Sequence, residues 1–237
     1  MPSLNDSFLM VIFVHIFILN FISHFHYDRN HNPYHDVGLV LPDLVRSFTK
    51  KHLTLNLNED YNEQETQLLL GCQKHFQIDA LFHQSYFFTS SVQSISNAIG
   101  YNATWPRKFF LNHVLVEILL DRVLLDNNSK LCDEFYLQLK TVDLELLSEF
   151  LRKNNVENTD HFIQSYQKFI QISFIYDYLD NKKIITALSQ LYKKVGIDYQ
   201  FTEHNKHFFD ENLPKLIEMI KKNEIKLTKE LYINEEN

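Results

Sequence analysis

The amino-acid sequence predicts an all-α fold, arranged as a single helical domain of about eight to ten helices. Apolar residues recur at three- and four-residue spacing along most of the chain, which is the period of an amphipathic helix. Glycine and proline are scarce, with four and five occurrences in 237 residues, whereas an all-β fold needs many tight turns. Apolar residues make up 45% of the chain, which is enough for a packed core and argues against global disorder.

Ten helices are predicted in chain order. They cover residues 9–25, 41–50, 63–84, 85–98, 106–126, 130–140, 144–153, 160–179 and 181–195, and a last helix runs from about 205 to past 222. Asn32-Pro33 ends the first helix within a polar loop at 28–36, because the residue before a proline disfavours helical backbone. Pro42 fits the first turn of the second helix, where its missing N–H costs no hydrogen bond. Acidic residues open the third helix, where they face the positive end of the helix dipole.

The second half of the chain is predicted from helix caps and turn residues. Pro106 opens the strongly apolar fifth helix, with Thr104 as its candidate N-cap. Asp180 caps the ninth helix, and Gly196 ends it in the position that favours left-handed backbone. No internal repeat or long linker interrupts this pattern. The predicted division is an apolar N-terminal extension, one all-α domain and a frayed C-terminal tail, at residues 1–19, 20–222 and 223–237.

The net charge and the cysteines indicate which partners and which cellular compartment to expect. The formal net charge is −7, and no lysine or arginine cluster alternates with aromatic residues, so no nucleic-acid partner is predicted. Cys72 and Cys132 lie in apolar helical segments without a paired spacing, which favours reduced, buried thiols and a cytoplasmic protein. The apolar segment 8–22 is shorter than the roughly 20 residues that span a bilayer and lacks a basic flank. A buried helix is therefore favoured over a membrane anchor.

Two predicted helices carry ionisable side chains four residues apart, about one helical turn, so that each trio lines one stripe of its helix. The two trios are His75, Asp79 and His83, and His113, Glu117 and Asp121. The second trio lies in a helix that is apolar on nearly every other face and is therefore predicted to be buried. Buried carboxylates are paired, protonated or bound to metal, so a metal or catalytic site is predicted here. The alternatives are a structural polar network for the second trio and a solvent-facing stripe for the first.

Further candidates precede these two helices. His24 and His26 close an otherwise apolar helix and are either inward-facing ligands or ordinary helix-end residues. Asp43 is flanked by apolar residues, so it either points into a site or faces the dipole of its own helix. Arg46, one turn later, can pair with Asp43 or bind an anion such as phosphate. Mixed histidine and carboxylate ligands suit Mn²⁺, Mg²⁺, Fe²⁺ or Zn²⁺.

Several common catalytic motifs are absent from the sequence. It contains no Gly-rich phosphate-binding loop, no Gly-x-Ser-x-Gly, no Cys-x-x-Cys and no His-Glu-x-x-His. Neither cysteine has an evident activating partner, so a thiol nucleophile is not predicted. The histidine and carboxylate side chains are therefore the candidates for chemistry.

Four short motifs follow one another along the chain. They are Asn20-Phe21-Ile22-Ser23-His24-Phe25-His26, Gly38-x-x-Leu41-x-Asp43-x-Val45-Arg46, Gly71-x-x-x-His75-x-x-Ile78-Asp79, and Asn112-His113 near the start of a helix. In order and spacing, they resemble the acyl carrier protein phosphodiesterase family, an all-α, divergent relative of the HD-type metal-dependent phosphohydrolases. The resemblance covers residues 20–125 well, continues loosely to residue 220, and implies an HD-like fold.

The resemblance also implies a reaction, a cofactor and a partner. Members of that family hydrolyse the phosphodiester that joins 4′-phosphopantetheine to a serine of holo-acyl carrier protein, using Mn²⁺ or a similar ion. By motif position, the resemblance implies catalytic roles for Asp43, His75, Asp79 and His113. Combined with the stripe on the apolar helix, the predicted metal ligands are His24, Asp43, His75, Asp79, His113 and Glu117.

The chain departs from the family pattern in the second half of this region. His83 and Asn112 stand where the family tends to have Asp, and Glu117 and Asp121 are candidates to replace the lost acids. Two alternatives therefore accompany the carrier-protein reaction. One is hydrolysis of a small phosphoester, and the other is a non-enzymatic helical protein with a buried network of histidines and acids. Convergence of the candidate ligands in space would favour a metal site over such a network.

Overall fold

Helices make up all of the regular secondary structure in a computed structural model that describes residues 20–100, 106–197 and 199–232. These residues form eleven α-helices and one 3₁₀ helix and contain no strand, which confirms the all-α prediction. The α-helices are α1 (Phe21–Asp28), α2 (Pro33–Gly38), α3 (Leu41–Thr49), α4 (Glu63–Gln84), α5 (Tyr86–Ile99), α6 (Lys108–Asn127), α7 (Leu131–Thr141), α8 (Leu144–Lys153), α9 (Thr159–Ile172), α10 (Asn181–Lys194) and α11 (Glu203–Tyr232). The 3₁₀ helix covers Phe174–Leu179.

Several helix ends follow directly from local side-chain chemistry. The carboxylates of Asp143 and Asp180 each accept hydrogen bonds from two backbone N–H groups in the first turns of α8 and α10. Gly196 follows α10 with a φ of +72°, the left-handed conformation predicted for a glycine that ends a helix. The predicted bounds of α4 and α8 agree with the structure at both ends.

The predicted loop at 28–36 and the predicted helix at 160–179 both differ from the structure. The predicted loop at 28–36 contains the start of α2, because Asn32 accepts hydrogen bonds from two N–H groups of the first turn and Pro33 occupies that turn. The predicted helix at 160–179 breaks at Ser173, which has a left-handed φ of +52° and separates α9 from the 3₁₀ helix.

The predicted frayed tail is wrong for residues 223–232, which continue α11. Leu227 and Leu231 lie one turn apart on this helix and are both buried. Nearby, the carboxylate of Glu230 accepts a hydrogen bond from the N–H of Phe87 at the start of α5. Apolar burial and this capping contact therefore extend the helix beyond the predicted end. Residues 233–237 and the predicted extension at 1–19 lie outside the described residues.

The described residues divide into two compact units, each made from more than one segment of the chain. The first unit contains residues 21–81 and 127–176. The second unit contains residues 82–126 and 177–232, together with Asn20.

Aromatic rings from α1, α3, α7 and α9 build the core of the first unit. The ring of Phe169 on α9 packs edge-on against Phe21, Phe48 and Phe135. Buried aromatic side chains remove large apolar areas from water and favour such edge-on geometry. This cluster therefore anchors α1 and α3, the helices that carry His24 and Asp43.

The second unit contains the predicted apolar helix, α6. Leu115, Leu119 and Val123 are fully buried, as expected for a helix that is apolar on most faces. Arg122 interrupts this pattern, and its guanidinium donates hydrogen bonds to the carboxylate of Asp126 and to the backbone carbonyl of Tyr178. In the same unit, α11 packs against both α5 and α10.

The structure also gives information on membrane crossing and on the two cysteines. Within the part of the chain that the structure describes, none of the helices combines the length and the apolar character needed to cross a bilayer. Cys72 and Cys132 are both buried. Burial raises the pKa of the Cys72 thiol well above its ordinary value, which makes it a poor nucleophile at neutral pH.

Candidate metal centres

Two groups of three side chains bring together ligand atoms suited to a metal ion, one group in each unit. The Asp43 site consists of His24, Asp43 and His75 in the first unit. The Glu117 site consists of His83, His113 and Glu117 in the second unit. Within each group, the three ligand atoms lie within 4.8 Å of one another. Ligands bound to one ion at about 2.0–2.2 Å lie roughly 3.0–3.5 Å apart, so both groups are close to a ligating arrangement.

Three helices supply the Asp43 site. His24 lies on α1 beside Phe25, whose buried ring packs edge-on against Phe135 of α7. Asp43 lies in the first turn of α3, and His75 lies in the second half of α4. The three residues are exposed by only 2%, 9% and 4%, so their donor atoms are shielded from bulk water.

A close approach of α2 and α4 determines where His75 lies. Gly38 at the end of α2 meets Gly71 of α4 without side chains between them. A Cβ on Gly71 would lie 2.2 Å from the carbonyl oxygen of His35, and a Cβ on Gly38 would lie 2.5 Å from that of Leu68. Such distances are far inside van der Waals contact, so both positions require glycine. His75 follows Gly71 by one helical turn and is carried to the end of α2 by this contact.

A backbone carbonyl orients the imidazole of His75. Its Nδ1 lies 2.8 Å from the carbonyl oxygen of Leu39, and because a carbonyl can only accept, Nδ1 carries the hydrogen. In the neutral ring, Nε2 then carries the lone pair, and it lies 3.8 Å from Oδ1 of Asp43. The ring centre lies 4.2 Å from that of His24. A hydrogen bond from the second ring nitrogen to a carbonyl is the usual way in which proteins orient a ligating histidine.

Asp79 adjoins the Asp43 site from the next turn of α4. Its Oδ1 lies 3.9 Å from Nε2 of His24, and its side chain is 44% exposed. It differs in this respect from the three buried members of the site. Solvent and solutes therefore reach the neighbourhood of the site at Asp79.

The Glu117 site is more compact than the Asp43 site. Nε2 of His83 lies 3.0 Å from Nε2 of His113. Oε1 of Glu117 lies 2.9 Å from Nε2 of His113 and 3.4 Å from Nε2 of His83. His113 and Glu117 lie one turn apart on α6, and His83 comes from the last turn of α4.

The turn between α4 and α5 builds an aromatic wall against the two imidazoles. Ser85 is the N-cap of α5, and its hydroxyl oxygen accepts a hydrogen bond from the N–H of Phe88 at 3.0 Å. The ring of Phe88 then lies edge-on to His83 and to His113, with 4.8 Å between ring centres in both cases. The cap therefore fixes the residue that packs against both histidines.

Glu117 approaches the two imidazoles from the buried side. Burial acts to raise its pKa, but the close contacts with His113 and His83 and their electrostatic interaction with the carboxylate outweigh burial and hold the pKa below its ordinary value. The carboxylate therefore stays ionised near neutral pH, in the form that binds a metal ion. The side chains of His83 and His113 are 28% and 30% exposed, so the opposite side of the site is open to solvent.

The structure distributes the six predicted metal ligands between the two sites. Three belong to the Asp43 site, two belong to the Glu117 site, and Asp79 adjoins the former. They do not form one group whose ligand atoms are all within 4.8 Å of one another. The predicted catalytic residue His113 accordingly falls in a different group from Asp43 and His75. The sequence thus predicted residues that belong to both groups, but it did not predict their division into two groups.

His83 is the site residue that the predicted ligand set missed. The four-residue spacing of His75, Asp79 and His83 along α4 was a signal for this residue. His83 was left out because the family pattern tends to have Asp at its position. Asp121 is fully buried, yet it belongs to neither three-residue group. Arg46, predicted either to pair with Asp43 or to bind an anion such as phosphate, is exposed on α3.

Comparisons with known proteins identify no family for this chain. No family model matches it, and neither the curated proteins nor the solved structures contain a match. The resemblance to acyl carrier protein phosphodiesterases therefore stays a prediction that rests on its motif residues.

Proposed function

We propose that this protein is a metal-dependent phosphoric diester hydrolase that releases 4′-phosphopantetheine from holo-acyl carrier protein. The Asp43 site carries the proposal, because His24, Asp43 and His75 come from three separate motifs and their ligand atoms lie within 4.8 Å of one another. The family resemblance supports the choice of substrate, and the donor atoms of the site support the metal dependence. Hydrolysis adds water across the bond between phosphorus and the serine oxygen, leaving a serine hydroxyl on the carrier and a phosphate monoester on the released group.

The donor atoms of the Asp43 site fit a divalent ion. Two imidazole nitrogens and one carboxylate suit Mn²⁺, Fe²⁺ or Zn²⁺ better than they suit Mg²⁺, which prefers oxygen ligands. The hydrogen bond from His75 to the Leu39 carbonyl supports this assignment, since ligating histidines are usually held in this way. When bound, such an ion supplies positive charge to the phosphate oxygens and lowers the pKa of a water molecule.

The remaining roles go to side chains around this site. Asp79 is the candidate to accept a proton from the attacking water, because it adjoins His24 and is accessible to solvent. Arg46 is the candidate to bind a phosphate oxygen, since it is exposed on α3 one turn after Asp43. The buried imidazoles of His24 and His75 exclude bulk water from the inner side of the site.

Mass spectrometry tests the proposal. Holo-carrier protein incubated with this protein and Mn²⁺ should lose the mass of 4′-phosphopantetheine, and the Asp43→Asn variant should not produce that loss. Asp210→Asn, the same change at an exposed position of α11, is the matched control and should retain activity. Absence of the mass loss across several carriers and across Mn²⁺, Mg²⁺, Fe²⁺ and Zn²⁺ would exclude the carrier-protein reaction.

A second candidate is hydrolysis of a small phosphoester such as a nucleotide. It is favoured by His83 and Asn112, where the chain lacks the acids typical of the carrier-protein enzymes. A panel of small phosphoesters assayed with the same metals separates the two reactions. The non-enzymatic alternative predicts instead that the purified protein holds no stoichiometric metal and that Asp79→Ala changes stability alone.

A further inference from the structure

The Glu117 site has a geometry that hydrogen bonding alone does not explain. Nε2 of His83, Nε2 of His113 and Oε1 of Glu117 form a triangle with sides of 3.0, 2.9 and 3.4 Å. All three sides are hydrogen-bonding distances. Each contact therefore needs one hydrogen directed at one lone pair.

The available protons cannot satisfy all three contacts. An imidazole Nε2 carries either a hydrogen or a lone pair, and an ionised carboxylate only accepts. If both nitrogens carry hydrogen, the contact between His83 and His113 has two donors and no acceptor. If one carries hydrogen, the other directs its lone pair at the carboxylate of Glu117. A cation shared by three lone pairs satisfies every contact at once.

We propose that His83, His113 and Glu117 form a second metal centre, which binds a divalent transition ion of the Zn²⁺ class independently of the Asp43 site. Two imidazoles and one carboxylate are a known three-ligand set for Zn²⁺. Harder ions such as Mg²⁺ and Ca²⁺ prefer sites made of oxygen ligands. The observed separations also match the roughly 3.0–3.5 Å expected between ligands of one ion at about 2.0–2.2 Å.

The surroundings define what kind of centre this is. Glu117 is buried behind the site, Phe88 packs against both imidazoles, and the histidines face solvent. Three protein ligands leave one position open for water or a solute, as in catalytic zinc sites, whereas structural sites have four protein ligands. The exposed ring of Phe109 lies 6.4 Å from that of His113. The centre is therefore accessible to a solute from outside.

The chain contains a matched comparison for this centre. His207 and Glu211 form the same i, i+4 pair on α11, with Nε2 and Oε1 3.1 Å apart. Their side chains are 72% and 59% exposed, and the pair belongs to neither three-residue group. Within the described residues, this histidine and glutamate therefore have the same spacing but belong to no three-residue ligand group and are not buried.

Zinc titration of the metal-free, full-length protein tests the proposal. Calorimetry should detect one Zn²⁺ equivalent that Glu117→Gln removes and that Asp43→Asn retains. Loss of a group that hydrogen-bonds to a metal ligand weakens metal binding about 10–100-fold, and loss of a direct ligand should exceed that. Glu211→Gln should leave the titration unchanged. Co²⁺ bound at the same centre should give the visible absorption of a low-coordinate site, and Glu117→Gln should abolish it.

These measurements test the second metal centre separately from the proposed function, because none of them depends on hydrolysis. Circular dichroism first establishes that each variant retains its helices. If Glu117→Gln unfolds, His83→Gln takes its place, since that side chain is partly exposed. Wild-type zinc binding by a folded Glu117→Gln or His83→Gln variant would overturn the centre. Loss of every zinc equivalent in Asp43→Asn would overturn its independence from the Asp43 site.

Discussion

The Asp43 site and the Glu117 site use the same donors, two imidazoles and one carboxylate, but the protein holds them differently. In the Asp43 site all three residues are buried, and a backbone carbonyl orients His75. In the Glu117 site the carboxylate is buried while both imidazoles are partly exposed and are held by aromatic rings. The facing donor atoms of His75 and Asp43 lie 3.8 Å apart, whereas those of the Glu117 site lie at 2.9–3.4 Å.

Because of this difference, we expect the two candidate sites to behave differently despite their identical donor types. The groups around the ligands set their orientation, their solvent access and the rate at which an ion exchanges. A site oriented by a backbone hydrogen bond depends on the packing of two helices. A site walled by aromatic rings depends instead on side chains that can be replaced without moving the backbone. The two sites should therefore respond to different substitutions.

Ligand removal should give the largest effect and should assign the reaction to one site. Asp43→Asn keeps the size of the side chain but removes its charge. Hydrolysis should therefore fall by more than the roughly 10–100-fold that follows loss of a group hydrogen-bonded to a metal ligand. Glu117→Gln, the equivalent change in the other site, should have a smaller effect on the same reaction. Steady-state rates with holo-carrier protein measure both. A larger loss in Glu117→Gln would transfer the reaction to the Glu117 site.

Gly71→Ala should destabilise the protein and damage the Asp43 site selectively. The added Cβ would lie 2.2 Å from the carbonyl oxygen of His35, which forces α2 and α4 apart. Overpacking of this kind costs about 1–3 kcal/mol, which urea unfolding measures. The Asp43 site should then lose metal while the Glu117 site keeps its zinc equivalent. Gln77→Ala, at an exposed position of the same helix, is the control and should change neither quantity.

The sequence predicted most of the helices because their signals are local. The apolar period of α6, the acidic first turn of α4 and the caps Asp143 and Asp180 all act within a few residues. The errors arose where distant contacts decide the outcome. The last residues of α11 are helical because Leu227 and Leu231 are buried, and that burial depends on helices that no local pattern identifies.

The same distinction between local signals and distant contacts applies to the candidate sites. Four-residue spacing placed His113 and Glu117 on one face of α6 from sequence alone, since that spacing is set by helix geometry. Their partner His83 lies thirty residues away in the chain, and spacing carries no information about contacts over that distance. The Gly38 and Gly71 contact is similar, because each glycine is ordinary in its own segment and its necessity appears only where the two helices meet.

Phe88→Leu should weaken the Glu117 site without affecting the Asp43 site. The substitution removes edge-on contacts with two imidazoles, and such aromatic contacts contribute about 0.5–1.5 kcal/mol beyond burial. Zinc binding at the Glu117 site should weaken severalfold, as calorimetry would detect. Phe162→Leu removes ring contacts with Phe48 and Tyr166 in the first unit and serves as the matched control. Equal zinc affinities in the two variants would show that the aromatic wall does not hold the histidines.

The smallest effect is expected at the exposed pair His207 and Glu211, which tests whether spacing or burial matters. Exposed i, i+4 pairs stabilise a helix by about 0.2–0.5 kcal/mol, and added salt screens that contribution. Glu211→Gln should therefore lower the free energy of unfolding by no more than about 0.5 kcal/mol, and less at high salt. Urea unfolding at two salt concentrations measures this change. Glu117→Gln removes a buried carboxylate that contacts two imidazoles, and the loss of a hydrogen bond to a charged group costs about 1.5–3 kcal/mol. Equal losses in the two variants would mean that burial of Glu117 does not distinguish the candidate metal site from an ordinary helix pair.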